Sequence, residues 1–171
     1  MLYKPLDLSG KPKRKKGKEG DYTTYLIKGF FRNGGEAIKL ADPTPGVGAY
    51  RTNKRPYDVR ACLKGASLAI ECKWQAEPKA FGAKQLADHQ IESLKRHEKA
   101  GGRSYVALFV KAGHRVSMLV WRIDEFLKPK TWGKSVIEEL AATNGYLSVD
   151  GAFPIGAFQD PSHQHLYGLK D

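Results

Sequence analysis

The chain is poor in sulfur and short of acid. Its 171 residues include 2 cysteines and 2 methionines. Two thiols, Cys62 and Cys72, are too few for a disulfide framework or a zinc cluster, so both read as reduced thiols in or near the core. No apolar run approaches the ~18 residues of a membrane helix. The opening "MLYKPLDLSG" lacks the apolar core of a secretory signal, which predicts a cytoplasmic protein with no membrane partner. Hydrophobic content of 41% and charged content of 27% fit one globular domain. Acid is the minority charge, with 18 Asp and Glu against 29 Lys and Arg, a formal net charge of +11.

That positive charge is unevenly spread. The first 20 residues hold seven Lys or Arg and two acids. The stretch "KPKRKKGK" has few apolar residues, so residues 1–18 read as a flexible basic arm ahead of a single domain over 19–171. Lys11, Lys13, Arg14, Lys15 and Lys16 suit a polyanion, because each neutralised phosphate releases a counterion. The plainer reading is a solubilising tail. The rest of the chain is basic too, which favours nucleic acid.

Along the domain, periodicity predicts a helix over 21–35, with Tyr22, Leu26 and Phe30 on one stripe and Gly34 and Gly35 at its end. A short strand over 36–41 precedes the rigid turn "DPTPGVG" and a basic loop. "YDVRACL" and "SLAIECKW" form a hairpin around "KGA". A helix over 84–100 ends at two glycines, strands over 104–112 and 114–123 flank Gly113, and a helix covers 135–145. Ser135 and Glu138 have the spacing of a capping box. From Tyr146 the chain reads as loop. The expected fold class is α/β: a mixed central sheet flanked by helices.

The hairpin carries the chemistry. Side chains alternate along a strand, so Glu71 and Lys73 share one face, and Ile70, Cys72 and Trp74 the other. Asp58 lies 13 positions before Glu71, a span over which a hairpin brings the two carboxylates together. Such a pair suits a hard cation such as Mg²⁺, which takes oxygen ligands and keeps several waters. A metal held there polarises a phosphate and acidifies a bound water. Lys73 orients or deprotonates that water and offsets charge growing on the phosphate. The plain alternative is an exposed cross-strand Glu–Lys pair of little energetic weight.

Asp58 followed by "IECK" resembles the PD-(D/E)xK nuclease motif, and within that superfamily the chain most resembles the RecU-type Holliday junction resolvases. "GKEGD" resembles that family's Gly-x-x-x-acid at the start of its first helix, "PTP" a family tripeptide, and "HQIE" the family's His-Gln. "GKSVIEEL" and "GAFPIGAFQD" resemble its C-terminal segment. The resemblance covers about residues 17–160. It implies a restriction-endonuclease-like fold and Mg²⁺ as cofactor, with Mn²⁺ able to substitute. It implies metal ligation by Asp58, Glu71 and the backbone carbonyl of Cys72, with Lys73 as catalytic lysine. Gln90 would reach from its helix towards metal-bound water or the scissile phosphate, against the alternative of a solvated helix residue. Asp21 stands where the family has a helix carboxylate near the metal, with an N-cap as its other reading and Glu19 as the second candidate.

What the family does implies a metal-dependent endodeoxyribonuclease of DNA recombination and repair. It would resolve four-way junctions by paired, symmetric phosphodiester hydrolysis. Two cuts need two sites, hence a homodimer. The chain departs from the family in two places. Tyr57 stands where Thr usually precedes the first acid, and only residues 46–57 fill the place of a long projecting stalk. Arg51, Lys54 and Arg55 read as phosphate contacts in that shortened segment, with a plain basic loop as the alternative. The short segment keeps a second substrate class open: other branched, nicked or damaged DNA. A non-catalytic binding module would leave Asp58, Glu71 and Lys73 without a purpose.

Overall fold

The computed structural model describes residues 18–41, 55–143, 152, 153 and 155–158. One mixed sheet of five strands organises them, in the order β1 to β5. The strands are β1 (Glu36–Lys39), β2 (Val59–Leu63), β3 (Ala66–Gln75), β4 (Arg103–Ala112) and β5 (Arg115–Arg122). β1, β2 and β3 run antiparallel to their neighbours, β3 and β4 are parallel, and β5 returns antiparallel to β4. The helices are α1 (Lys18–Arg32), α2 (Asp88–Lys99), α3 (Ile123–Leu127) and α4 (Lys134–Thr143). Among the described residues no helix is long and apolar enough to cross a membrane.

A two-residue turn sets the register on which the site depends. Lys64 and Gly65 both have positive φ, 50° and 79°, the backbone of a tight turn that follows strand twist. Leu63 therefore pairs with Ala66, and the ladder runs to Val59 opposite Ile70. One residue before that ladder, Asp58 N–H donates to the Ile70 carbonyl at 3.1 Å, so the Asp58 backbone also lies against Ile70. β3 then outruns β2 and pairs along most of its length with β4, from Leu68 opposite Arg103 to Gln75 opposite Val110. Parallel strands need a crossover, and α2 supplies it between β3 and β4.

The sheet is covered on both faces. On one, α1 packs Leu26 and Phe30 against Leu68, Ile70, Cys72 and Phe109. On the other, Leu94 of α2, Phe126 of α3 and Ile137 of α4 pack against Val106, Leu108 and Leu119. β4 is accordingly apolar in a near-continuous run, as expected of a strand buried on both faces.

Several boundaries differ from the sequence expectations. α1 begins at Lys18, one turn early, so Asp21 lies inside the helix and is no cap. Its end is as expected: Gly34 has φ 73° and Gly35 N–H donates to the Phe30 carbonyl at 3.0 Å, which closes the last turn. The predicted helix over 84–100 divides into a short 3₁₀ turn at Ala83–Gln85 and α2. α4 starts at Lys134, and Ile137 N–H donates to the Gly133 carbonyl at 3.1 Å, so Ser135 does not cap it. α3 begins at Ile123, the last residue of the strand expected over 114–123, and no helix was expected there. Cys62 is exposed on the outer side of β2, whereas Cys72 is buried. The described part of the C-terminal stretch is more than loop. Phe153, Ile155 and Phe158 are buried under α1, where Gly29 leaves no room for a Cβ beside the Phe153 carbonyl.

Candidate active site

Asp58 closes the end of β2 with its side chain. Its N–H donates to the Ile70 carbonyl at 3.1 Å, and its carbonyl accepts from Leu40 N–H at 2.8 Å. The backbone is therefore fixed from both neighbouring strands. Asp58 Oδ2 then accepts the next donor of β3, Cys72 N–H, at 2.8 Å, in a buried bond. A carboxylate that takes a ladder position in this way cannot rotate without orphaning a buried amide. A strand residue presents its N–H and C=O to the same neighbour. The Cys72 carbonyl therefore faces the same side as its N–H, towards Asp58.

Glu71 follows on β3 with no exposed surface. Its Oε1 accepts from Lys73 Nζ at 2.8 Å and from Gln90 Nε2 at 2.6 Å. Gln90 is itself clamped, because its Oε1 accepts Ala87 N–H at 2.9 Å at the start of α2. With the amide oxygen held there, its NH₂ group has one direction left, towards Glu71. Glu71 Oε2 is also buried, and no hydrogen-bond donor reaches it among the described residues. A buried carboxylate oxygen without a donor is costly, and a cation is the group that relieves it.

Burial first, then the Asp58 charge, pushes the Glu71 carboxyl up from its ordinary 4.5 to about 7, against the opposing pull of Lys73 and Arg55. Burial lowers Lys73, but Glu71, Glu19 and Asp58 outweigh it and hold the ammonium above the ordinary lysine range. The same field identifies the helix carboxylate. Burial and the Asp58 charge raise Glu19, while Lys73, Lys39 and Arg55 pull it back. Asp21, two residues on and so about 200° around the helix, acts on Tyr22 instead. The structure thus brings Glu19 to the cluster, the second candidate from sequence, and leaves Asp21 outside it. Tyr22 stacks on Trp74 with ring centroids 4.6 Å apart, which ties the start of α1 to the strand carrying Lys73. Nothing in the sequence pattern marked that pair.

No family model matches the chain, and no curated protein matches it. Among solved structures it is similar to Hjc, a Holliday junction resolvase from the archaeal hyperthermophile Archaeoglobus fulgidus. The identity is 22% and the TM-score 0.49, over 71% of this chain and 98% of that one.

Among the described residues no three His, Cys, Asp or Glu side chains sit close enough to hold a metal by themselves. The two carboxylates that act on one another there are Asp58 and Glu71. Such a pair fits Mg²⁺, which is bound through one or two carboxylates with waters and phosphate oxygens completing its shell. Glu19 shares the field of Asp58 and would act through metal-bound water. Glu19→Gln is expected to lower metal affinity or cleavage about 10- to 100-fold, as for a partner that orients metal-bound water. Asp21→Asn should stay within about twofold, the range of a surface change. Equal losses in titrations of the two variants would refute the assignment. Of the expected DNA contacts, Lys11, Lys13, Arg14, Lys15, Lys16, Arg51 and Lys54 lie outside the described residues, as does "PTP". Arg55 is described, and its Nη2 pairs with Asp58 Oδ1.

Proposed function

We propose that this chain is a divalent-metal-dependent DNA endonuclease of the PD-(D/E)xK type that nicks four-way junctions symmetrically as a homodimer. One observation carries the reading. Asp58, Glu71 and Lys73 meet at the open edge of β3, with a buried Glu71 oxygen left for a cation. Asp58, Glu71 and the Cys72 carbonyl would hold Mg²⁺, or Mn²⁺ in its place. When bound, the ion supplies Lewis acidity to the phosphate and lowers the pKa of a water.

The chain's own groups do the rest. Lys73, held protonated by three carboxylates, places a positive charge where the phosphodiester gains negative charge and orients the attacking water by hydrogen bonding. Gln90 keeps Glu71 in one rotamer through an amide that the start of α2 has already fixed. The outcome is hydrolysis to a 5′-phosphate and a 3′-hydroxyl. The formal charge of +11 favours association with DNA and makes it salt-dependent. The short segment of residues 46–57 supports a second substrate class, other branched or nicked DNA cut by the same site.

The test is cleavage of a labelled immobile four-way junction beside linear duplex of the same sequence, in Mg²⁺ and in EDTA. Paired nicks on the junction alone, lost in EDTA, are expected. Cleavage of flaps or nicked duplex with an intact junction would establish the second reading. No metal-dependent cut on any branched DNA would refute both.

A further inference from the structure

Asp58 has two oxygens, and both are engaged. Oδ2 takes the Cys72 amide at 2.8 Å, and Oδ1 takes the Arg55 guanidinium. The metal site proposed above needs Asp58, so the cation nearest to that carboxylate is a residue of the chain itself. We propose that Arg55 is a displaceable occupant of the metal seat: it neutralises Asp58 before a divalent cation binds, leaves Oδ1 when the cation arrives, and is thereby freed for a DNA phosphate. This rests on the metal-site reading and adds to it a residue that couples metal loading to DNA contact.

The geometry gives Arg55 the features of a movable plug. Its side chain is 20% exposed whereas that of Asp58 is 3% exposed, so it covers the carboxylate from the solvent side. Its Nη1 also donates to the Leu40 carbonyl, at 3.4 Å. Asp58 cannot follow it outward, because its backbone and Oδ2 are tied to β1 and β3. Displacement therefore moves the arginine and not the ligand.

Charge gives the reason to leave. Glu19, Asp58 and Glu71 form one field with Lys73 and Arg55. With Glu71 ionised, three carboxylates against two cations leave one negative charge. A divalent ion reverses that sign, and a guanidinium beside it is then repelled. A scissile phosphate brings negative charge to the same place, and a guanidinium fork matches phosphate oxygens. Metal binding and the Arg55–Asp58 pair are linked, so each opposes the other by the same factor.

Mn²⁺ is titrated into the full chain without DNA, for wild type and Arg55→Gln. The variant is expected to bind Mn²⁺ about tenfold more tightly, within the ordinary range of coupling between sites. Its apo form should melt lower at pH 8, because a buried carboxylate has lost its counter-ion. In Ca²⁺, which permits binding without cleavage, the variant should bind junction DNA more weakly than wild type. A crystal structure of the wild type with Mn²⁺ is the direct readout, and it does not depend on the variant folding. Arg55 withdrawn from Oδ1 supports the inference. Mn²⁺ bound with the Arg55–Asp58 pair intact, or equal Mn²⁺ affinity in the two proteins, overturns it and leaves the nuclease reading standing. A wild type that binds no Mn²⁺ overturns both.

Discussion

Lys73→Ala is expected to lower metal-dependent cleavage by at least about 10³-fold, the combined scale of a lost electrostatic stabiliser and a lost proton-handling group. Binding to the uncut DNA in Ca²⁺ should change far less, since Lys73 is 23% exposed and faces Glu71. The loss has two physical parts. The phosphate loses a positive charge at the point of attack. Glu71 loses one of its two hydrogen-bond donors and its main opposing charge, so its carboxyl rises further and competes less well for metal near neutral pH. The pH–rate profile separates the roles open to the lysine. A protonated Lys73 that stabilises charge gives a rate that climbs as the carboxylates deprotonate and then levels. A lysine acting as free base would keep the rate climbing into the alkaline range, since its ammonium is held above the ordinary lysine value. Higher Mg²⁺ should move the climb to lower pH, because the ion competes with the proton on Glu71. Cleavage by Lys73→Ala at the wild-type rate would remove the site assignment altogether.

The parts of the site legible in sequence are those fixed by short-range rules. Strand alternation places Glu71 and Lys73 on one face, and the Lys64–Gly65 turn fixes a register that ends with Val59 opposite Ile70. Asp58 then bonds to the residues on either side of Glu71, its N–H to the Ile70 carbonyl and its Oδ2 to the Cys72 amide. Gln90 was legible only as a spacing, and the reason its amide points at Glu71 is the Ala87 N–H that claims its oxygen. Glu19 and Asp21 could not be ranked from sequence, because their difference is one of helix phase. The phase depends on where α1 starts, and α1 starts at Lys18. Arg55 read as a phosphate contact, with a plain basic loop as the alternative. That it turns inward to Asp58 follows from a backbone held by Leu40 on one strand and Ile70 on another, which no local pattern records. The mixed sheet was expected from element order. The burial of Phe153, Ile155 and Phe158 was not, since that stretch carries no period of helix or strand and is held by packing against α1.

In EDTA the folded chain is expected to lose stability as pH rises from about 5 to 8, and Mg²⁺ should cancel much of that loss. Glu71 binds its proton more tightly folded, at about 7, than at its ordinary 4.5. A carboxyl with a raised folded pKa contributes stability that is fully present below the unfolded value. That stability is lost as pH climbs through the folded value. The interval from 4.5 to about 7 corresponds to roughly 3 kcal/mol, about 10 °C in melting temperature for a chain of this size. Glu19 is displaced in the same direction by burial and adds to the slope. At the proposed metal site Mg²⁺ would act oppositely, by binding the deprotonated carboxylates. Its stabilisation should be small at pH 5, where Glu71 is protonated, and large at pH 8. Melting curves at four pH values, with EDTA and with Mg²⁺, read both effects. Glu71→Gln flattens the EDTA series if the assignment holds, since an amide has no proton to lose across that window. A wild-type stability that rises with pH in EDTA would place the buried proton elsewhere. Such a site sits at the end of a ladder for a physical reason. An oxygen without a donor and a carboxyl driven towards neutrality are a cost to the metal-free fold, and that cost becomes binding energy when the ion arrives.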